Sequence, residues 1–162
     1  MRLALNLAIV VATVAATELL AYAVHRYVMH GVGWAWHRSH HEPRGGPFEK
    51  NDWYAVAFAA AALALILGDT GRGPAYWVGI GMTVYGLAYF VVHDLLTHRR
   101  WLSGGAASRG LPRGGYLQRL VQAHRLHHAV RGRDGAVSFG FLYAPPVRAL
   151  KTRLAARGGL RS

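Results

Sequence analysis

Long apolar runs separated by short polar stretches dominate the first hundred residues of the chain. The runs cover residues 3–24, 53–67 and 75–92. A helix needs about 20 apolar residues to cross the hydrocarbon core of a bilayer, so the pattern predicts about three transmembrane helices, the second of them short. The polar link 68–74 joins the second and third runs, and residues 53–92 are therefore predicted to form a transmembrane hairpin.

A cleavable signal peptide is the alternative explanation for the first run. Its apolar part is longer than the usual apolar region of a signal peptide, and no small-x-small cleavage site precedes polar sequence. The run also leads directly into His25 and His30. We therefore interpret residues 3–24 as a retained transmembrane helix.

Outside the apolar runs, the pattern predicts shorter elements. Asn51 and Asp52 are typical N-cap residues and predict the start of the second helix. Residues 103–115 are rich in Gly, Ser and Pro and predict a loop. Residues 116–129 predict a helix near the membrane interface, and residues 137–150, which contain two prolines, predict a re-entrant or interfacial segment.

The topology places segments 22–52 and 93–128 on the same side of the membrane, because two crossings separate them. Of the 19 Lys and Arg residues, only Arg2 and Arg72 lie on the other side. The positive-inside rule then predicts that both segments and the C-terminus are cytoplasmic. The expected fold is an all-α integral membrane helical bundle with interfacial helices, forming a single membrane domain over residues 1–162.

The amino-acid composition excludes several kinds of functional site. The chain has 162 residues, of which 52% are hydrophobic, and it contains no cysteine. Disulfides, zinc fingers, iron–sulfur clusters and haem-thiolate sites are therefore excluded. The formal net charge is +12. We attribute this charge to an anionic membrane surface rather than to nucleic acid, because no nucleic-acid-binding motif accompanies it.

All ten histidines lie in the two segments predicted to be cytoplasmic, where the order H-x4-H then H-x2-H-H occurs twice. Positions i, i+3 and i+4 share one helical face, so each H-x2-H-H box is expected to point three imidazoles at one centre. Positions five apart diverge by about 140° on a straight helix, so the two rings of each H-x4-H box either straddle a helix edge or lie where the helix is bulged or ends. We favour the helix end, because both boxes directly follow an apolar run. The candidate metal ligands are His25, His30, His37, His40, His41, His93, His98, His124, His127 and His128.

Ten imidazoles suit two metal ions with four or five nitrogens each. Imidazole binds iron, copper, nickel and zinc, so the ligand type alone does not choose the metal. Asp94 is a candidate to orient His93 through a hydrogen bond, and Glu18 is a second candidate because a carboxylate within a span is costly. The structural alternatives are that Asp94 caps a helix or pairs with Arg99, and that Glu18 binds a hydroxyl such as that of Tyr85.

These boxes resemble those of the membrane fatty acid hydroxylase and desaturase superfamily, and the flanking sequence is similar to the bacterial β-carotene (carotenoid 3-) hydroxylases. The resemblance extends from about residue 18 to residue 150. The matching stretches are HRYVMHGVGWAWHRSHHEP from His25, FEKNDWY from Phe48, HDLLTHRR from His93, GYLQRLVQAHRLHHA from Gly115 and VSFGFLYAPP from Val137.

The resemblance implies a diiron monooxygenase in which all ten histidines bind two irons. It implies O2 as co-substrate and two electrons from ferredoxin reduced by NAD(P)H. The hydroxyl would be placed on carbon 3 of the β-ionone ring, converting β-carotene to β-cryptoxanthin and zeaxanthin, and in some relatives canthaxanthin to astaxanthin. The implied partners are a carotenoid from the bilayer, a ferredoxin-type donor and lipid, without nucleic acid. A homo-oligomer is compatible with the sequence, and the expected location is the bacterial inner membrane.

The basic run Arg99, Arg100, Arg109 and Arg113 predicts a solvated or lipid-facing surface, which would also attract an acidic electron donor. Two alternative functions remain at this stage. One is another membrane lipid hydroxylase, desaturase or ketolase, although the familiar ketolases and desaturases are longer chains. The other is a non-enzymatic zinc or copper transporter, although transport sites usually lie near the bilayer midplane and these histidines begin where the apolar runs end.

Overall fold

The computed structural model describes residues 1–42, 46–100 and 114–158. These residues contain helices and irregular segments but no strand, which confirms the all-α prediction. The two π-helical segments are Val24–Val32, which continues α1, and Phe90–Thr97, which continues α4. The α-helices are α1 (Arg2–Ala23), α2 (Trp34–His41), α3 (Asp52–Gly68), α4 (Pro74–Tyr89), α5 (Gly115–His127) and α6 (Val147–Ala156).

Two continuous helical stretches are long and apolar enough to cross a membrane, Arg2–Val32 and Pro74–Thr97. α3 is a shorter apolar helix of 17 residues, about 26 Å long at 1.5 Å per residue. α1 buries only Thr17, whereas an equally apolar core helix of a soluble protein would be mostly buried. An apolar helix surface of this kind is stable in hydrocarbon and not in water, as a membrane protein requires.

α4 lies between α1 and α3 and packs on both of them. Two glycines of α4 allow this close approach. A Cβ atom at Gly81 would lie 2.6 Å from the Cβ of Thr13 in α1, and one at Gly79 would lie 2.7 Å from Cγ1 of Ile66 in α3. Small residues at helix contacts let backbones approach closely in membranes, so a larger residue at either position would separate the helices.

The α3–α4 hairpin follows the prediction, and α3 starts at Asp52 as expected. The predicted capping role is wrong for Asn51. Asn51 occupies the N-cap position but makes no side-chain capping hydrogen bond. Its Oδ1 lies instead 2.7 Å from Nδ1 of His37. The Asp52 carboxylate accepts a hydrogen bond from the backbone N–H of Glu49 at 2.9 Å, which closes the turn before the helix.

The polar end of the molecule has its own apolar core beside the histidines. α5 packs against the second π segment and against α6, and the segment 137–146 that precedes α6 is irregular rather than helical. This segment packs within the fold and contacts Glu18 of α1; a re-entrant or interfacial position in the bilayer stays a prediction. The predicted loop 103–115 lies almost wholly outside the described residues. The core consists of Val92, Leu120, Ala123, Val137, Ala144, Leu150 and Leu154.

Candidate metal centre

Both H-x4-H boxes lie at the π-helical ends of the two long helices, with His98 directly after the last residue of the second segment. The bulge and the helix end considered from the sequence are therefore both present. In a π-helix each N–H bonds to the carbonyl five residues earlier, so residues five apart come to lie on one face. The N–H of His98 donates to the carbonyl of His93 at 2.9 Å in this way. The ring centroids are 4.6 Å apart for that pair and 5.3 Å apart for His25 and His30. The widened turn therefore converts a divergent spacing into a convergent one.

The ten histidines form two buried clusters at the polar end of the helices. Within each cluster, four histidines offer ring nitrogens that all lie within 4.8 Å of one another. His41 and His93 each join one of these groups through Nε2 contacts. The first cluster consists of His25, His30, His37, His41 and His127, and the second consists of His40, His93, His98, His124 and His128.

The H-x2-H-H boxes do not each point at one centre, which corrects the expectation from helical spacing. At ~100° per residue, position i+4 lies about 40° to one side of position i and position i+3 about 60° to the other. In α2 the outer pair His37 and His41 belongs to the first cluster and His40 to the second. In the later box the single residue His127 belongs to the first cluster. Each cluster therefore takes four histidines from one segment and one from the other.

The Nε2 atoms face one another inside both clusters. In the first cluster, His30 to His127 is 3.1 Å, and His127 to His41 is 3.2 Å. In the second, His40 to His93 is 3.0 Å, and the Nε2 atoms of His98 and His124 are also 3.0 Å apart. Two nitrogens bound to one metal at ~2.1 Å and at right angles lie ~3.0 Å apart. The spacing in both clusters therefore fits neighbouring ligands of a single ion.

Hydrogen bonds at Nδ1 show that these contacts are not simple histidine pairs. Nδ1 of His30, His41 and His127 lies 2.7, 3.0 and 3.0 Å from the backbone oxygens of residues 133, 130 and 137. A carbonyl only accepts, so each Nδ1 carries the proton and each neutral ring presents a lone pair at Nε2. Lone pairs at about 3.1 Å repel unless a cation lies between them. The donor set therefore fits a bound metal.

The second cluster has carboxylates behind its ligands. Nδ1 of His40 lies 2.8 Å from Glu49, and Nδ1 of His93 lies 3.0 Å from Asp94. Asp94 also pairs with Arg100 at 3.2 Å, and Arg100 binds Asp52 at 2.6 Å. The predicted contact between Asp94 and His93 is present. The guanidinium is buried, so the expectation of a solvated or lipid-facing surface is wrong for Arg100; Arg109 and Arg113 lie outside the described residues.

Burial keeps the imidazoles that lie outside the membrane-spanning helices neutral. Desolvation lowers the pKa of His37 to about 3 and that of His41 to about 4, with the other histidines adding to the effect. It also lowers the pKa of His40, His124 and His127 well below the usual value. A protonated imidazole cannot bind a metal, so neutral rings at neutral pH are the form that a metal site needs.

Glu18 contacts a loop rather than a histidine in the described residues. Its Oε1 accepts hydrogen bonds from the backbone N–H groups of Phe141, Leu142 and Tyr143 at 2.9, 3.1 and 2.9 Å. Its Oε2 accepts a hydrogen bond from the hydroxyl of Tyr85 at 2.8 Å, the alternative considered from the sequence. Glu18 therefore fixes a loop of the polar end to α1 and α4 inside the membrane region.

That loop carries two phenylalanines that cover the clusters. The Phe141 ring stacks on His25 of the first cluster at 5.1 Å and contacts His93 of the second at 5.5 Å. Phe139 packs edge-on against His30 at 5.3 Å, and its carbonyl oxygen lies 2.9 Å from Nδ1 of His25. The segment containing both residues thus orients one ligand and shields several from water.

Sequence reasoning missed several residues that support the ligands. The sequence predicts a capping role for Asn51 and a surface position for Arg100, and it does not single out Glu49 or the carbonyls of residues 130, 133 and 137. Glu49 and Asn51 follow the first H-x2-H-H box by a few residues, so polar residues beside the boxes were the available signal. The carbonyl acceptors left no signal, because every residue has one.

An apolar helical bundle with two buried, metal-compatible imidazole clusters at one end defines a metal-binding membrane protein of the histidine-box class. Comparison with known proteins gives the family. The fatty acid hydroxylase family model matches residues 10–145 of the chain. The chain belongs to this family, which confirms the resemblance seen in the boxes.

The similar curated proteins come from bacteria and plants. A protein named beta-carotene hydroxylase from Pantoea ananas is 57% identical over 158 residues, covering 97% of this chain and 87% of that protein. A protein of the same name from Paracoccus sp. strain N81106 is 55% identical, covering 97% and 95%. Beta-carotene 3-hydroxylase 1 of Arabidopsis thaliana is 38% identical, covering 79% of this chain and 41% of that protein. No solved structure matches the chain.

Proposed function

We propose that the chain is an O2-dependent diiron monooxygenase that hydroxylates the β-ionone rings of β-carotene at carbon 3. The observation that carries the proposal is the convergence of ten imidazoles into two clusters with metal-like spacing, in a chain 55–57% identical to bacterial beta-carotene hydroxylases. The products would be β-cryptoxanthin and then zeaxanthin.

Iron is the proposed metal because the reaction requires redox chemistry. Two irons, when bound, would use O2 and two electrons to supply the strong oxidant that an unactivated ring C–H bond needs. The first cluster would hold one ion and the second cluster the other. Zinc also binds imidazole but has no redox chemistry, so it would not support hydroxylation.

The protein's own contribution is to prepare the ligands and exclude water. The Nδ1–H bonds to carbonyls fix four rings of the first cluster, those of His25, His30, His41 and His127, in the tautomer that directs the Nε2 lone pair inward. Phe139 and Phe141 cover the clusters with apolar surface, which keeps water away from a reactive site. Glu18 holds the loop that carries both rings and acts as a positioning residue.

We further infer that the whole chain works as one membrane domain. His127, in the later segment, completes the first cluster, and His40, in the earlier segment, completes the second. Neither segment could therefore assemble a site alone. The basic bias of both segments supports a bacterial inner membrane location with the clusters and C-terminus cytoplasmic, where a reduced ferredoxin would deliver electrons to a positively charged surface.

Expression in a bacterium that accumulates β-carotene tests the proposal. We expect pigments that have gained one or two oxygens and that match β-cryptoxanthin and zeaxanthin in chromatography. The purified protein should carry about two irons per chain. His127→Ala should abolish the new pigments, whereas Arg148→Ala, at an exposed position of α6, should leave them unchanged.

Three other results would indicate a different function. Unchanged β-carotene with the iron-loaded protein in the membrane would overturn the proposal. New hydroxylated or unsaturated acyl chains would indicate another lipid substrate. Exchangeable zinc or copper without any oxygenated product would indicate transport.

A further inference from the structure

A large apolar cavity lies between α1, α3 and α4, on the membrane side of the clusters. Its volume is about 700 Å³, within the ~300–1,000 Å³ usual for ligand sites. Leu20, Leu63 and Leu87 line it and are also more than half exposed at the helix surface. The cavity is therefore open sideways, toward the hydrocarbon of the bilayer, and not toward water.

The inner end of the cavity reaches the metal centre through two aromatic rings. Tyr89 and Phe141 both line the cavity, and their ring centroids are 4.8 Å apart. On the other side, the Tyr89 ring stacks on His93 of the second cluster at 4.5 Å, and Phe141 stacks on His25 of the first at 5.1 Å. These two rings form the partition between the cavity and the clusters.

Paired polar groups close the inner end against water. Arg100, Asp52 and Asp94 also line the cavity there. The Arg100 side chain is only 4% exposed and bonds to both carboxylates. Because the guanidinium is buried and both carboxylates are paired with it, the inner end offers no isolated charge to a hydrocarbon guest.

Small residues of α3 make the space. Ala55, Ala59 and Ala62 lie at positions i, i+4 and i+7, which share one helical face, and all three line the cavity. The lining face of α3 extends from Asn51 to Ile66, about 22 Å at 1.5 Å per residue. The site is therefore long and narrow rather than round.

We propose that this cavity binds one ring of β-carotene and the adjoining polyene, which slide in sideways from the bilayer until the ring meets Tyr89 and Phe141. The inference rests on the proposed function and adds where the substrate lies. A rod-shaped hydrocarbon matches the length and apolar lining of the cavity, and the inner end is the part of the cavity that touches rings of both clusters. The remainder of the rod stays in lipid.

The test compares neighbouring alanines of α3 in the iron-loaded protein reconstituted in lipid nanodiscs. Both alanines are exposed on α3, and Ala59 lines the cavity whereas Ala60 does not. Ala59→Phe therefore adds bulk to the cavity, and Ala60→Phe adds the same bulk outside it. β-carotene binding is followed by the induced circular dichroism of the pigment, and hydroxylation by product analysis. We expect Ala59→Phe to weaken binding and to lower product formation at least tenfold, with Ala60→Phe close to the unmodified protein.

A second pair of variants shows whether a folding defect in a single variant explains the result. Ala55→Phe should behave like Ala59→Phe, and Ala57→Phe, also exposed and outside the cavity, should behave like Ala60→Phe. Unchanged iron content in all four variants shows that the clusters remain assembled. Equal binding and turnover in the cavity and control variants would overturn the inference. Cavity-dependent binding without any hydroxylated product would instead uphold the binding site and refute the proposed function.

Discussion

The two histidine clusters are alike in ligand number and differ in what supports the ligands. In the first cluster, Nδ1 bonds go to four backbone carbonyls and to the Asn51 amide, all neutral. In the second cluster, two Nδ1 bonds, those of His40 and His93, go to the carboxylates of Glu49 and Asp94. The Nδ1 of His124 is buried without a hydrogen-bond partner among the described residues.

This difference concerns charge more than geometry. A carbonyl fixes the orientation and tautomer of an imidazole, whereas a carboxylate also makes it a stronger donor. Neutral ligands leave the charge of a metal ion uncompensated. Within the described part of the chain, carboxylates lie within hydrogen-bond reach of the second cluster's ligands and not of the first's. We therefore expect the second cluster to bind its ion more tightly and to favour the more oxidised metal.

Removing one ligand from each cluster tests whether they are separate sites, and should have the largest effect. His25→Ala should lose the ion of the first cluster and His93→Ala that of the second, with hydroxylation reduced about 100-fold or more in both. Metal analysis after gel filtration should find about one ion per chain in each single variant and almost none in the double variant. Loss of both ions in either single variant would mean that the clusters form one joint site.

Replacing a supporting carboxylate should weaken the second cluster alone. Glu49→Gln keeps a neutral acceptor for His40 and removes the negative charge, so it imitates the first cluster. We expect the affinity for one of the two ions to fall about 10–100-fold in a chelator competition assay. Glu42→Gln is the matched control, because Glu42 pairs with Arg38 at the surface at 3.0 Å. An equal effect of both substitutions would show that long-range charge, not the contact with His40, matters.

The converse substitution should strengthen the first cluster. Asn51→Asp places a carboxylate where an amide oxygen now lies 2.7 Å from Nδ1 of His37. We expect a gain of up to about tenfold in affinity for the weaker ion, measured by the same competition assay. If the affinity is unchanged while Glu49→Gln weakens the other site, the two clusters differ in geometry rather than in the charge of their supports.

Acid should destabilise the metal-free protein, and this effect is the smallest of the four. Burial lowers the pKa of His37 to about 3 and of His41 to about 4, whereas an unfolded histidine titrates near 6.5. Between these values the unfolded chain binds more protons, so stability is full above pH 6.5 and falls as pH drops toward 4. Thermal unfolding in detergent should show a steadily lower Tm over that range. A constant Tm would mean that both rings become protonated without cost in the folded protein.

The local sequence pattern predicted the apolar spans, the ligand types and the family, because each of these depends on residues close together in sequence. Apolar length predicted the helices, and the four boxes identified all ten histidines that the structure brings together. At the H-x4-H spacing the α-helical period indicated only that a regular helix would not bring the rings together, and the structure resolves this with π-helical turns at the helix ends. The local pattern failed at Asn51, whose capping propensity was overridden by a contact with His37.

The sequence alone thus determined which groups are available: ten imidazoles, helices able to hold them, and an apolar surface for the bilayer. Only the tertiary structure decided how the ten imidazoles are divided between the two clusters. His40 and His127 each belong to the cluster formed mainly by the other segment, which depends on how α2 and α5 are rotated about their axes when they pack. His127 meets His30 and His41 across 97 and 86 positions of the chain, and His40 meets His93 across 53. Contacts between residues this far apart leave no trace in a local repeat.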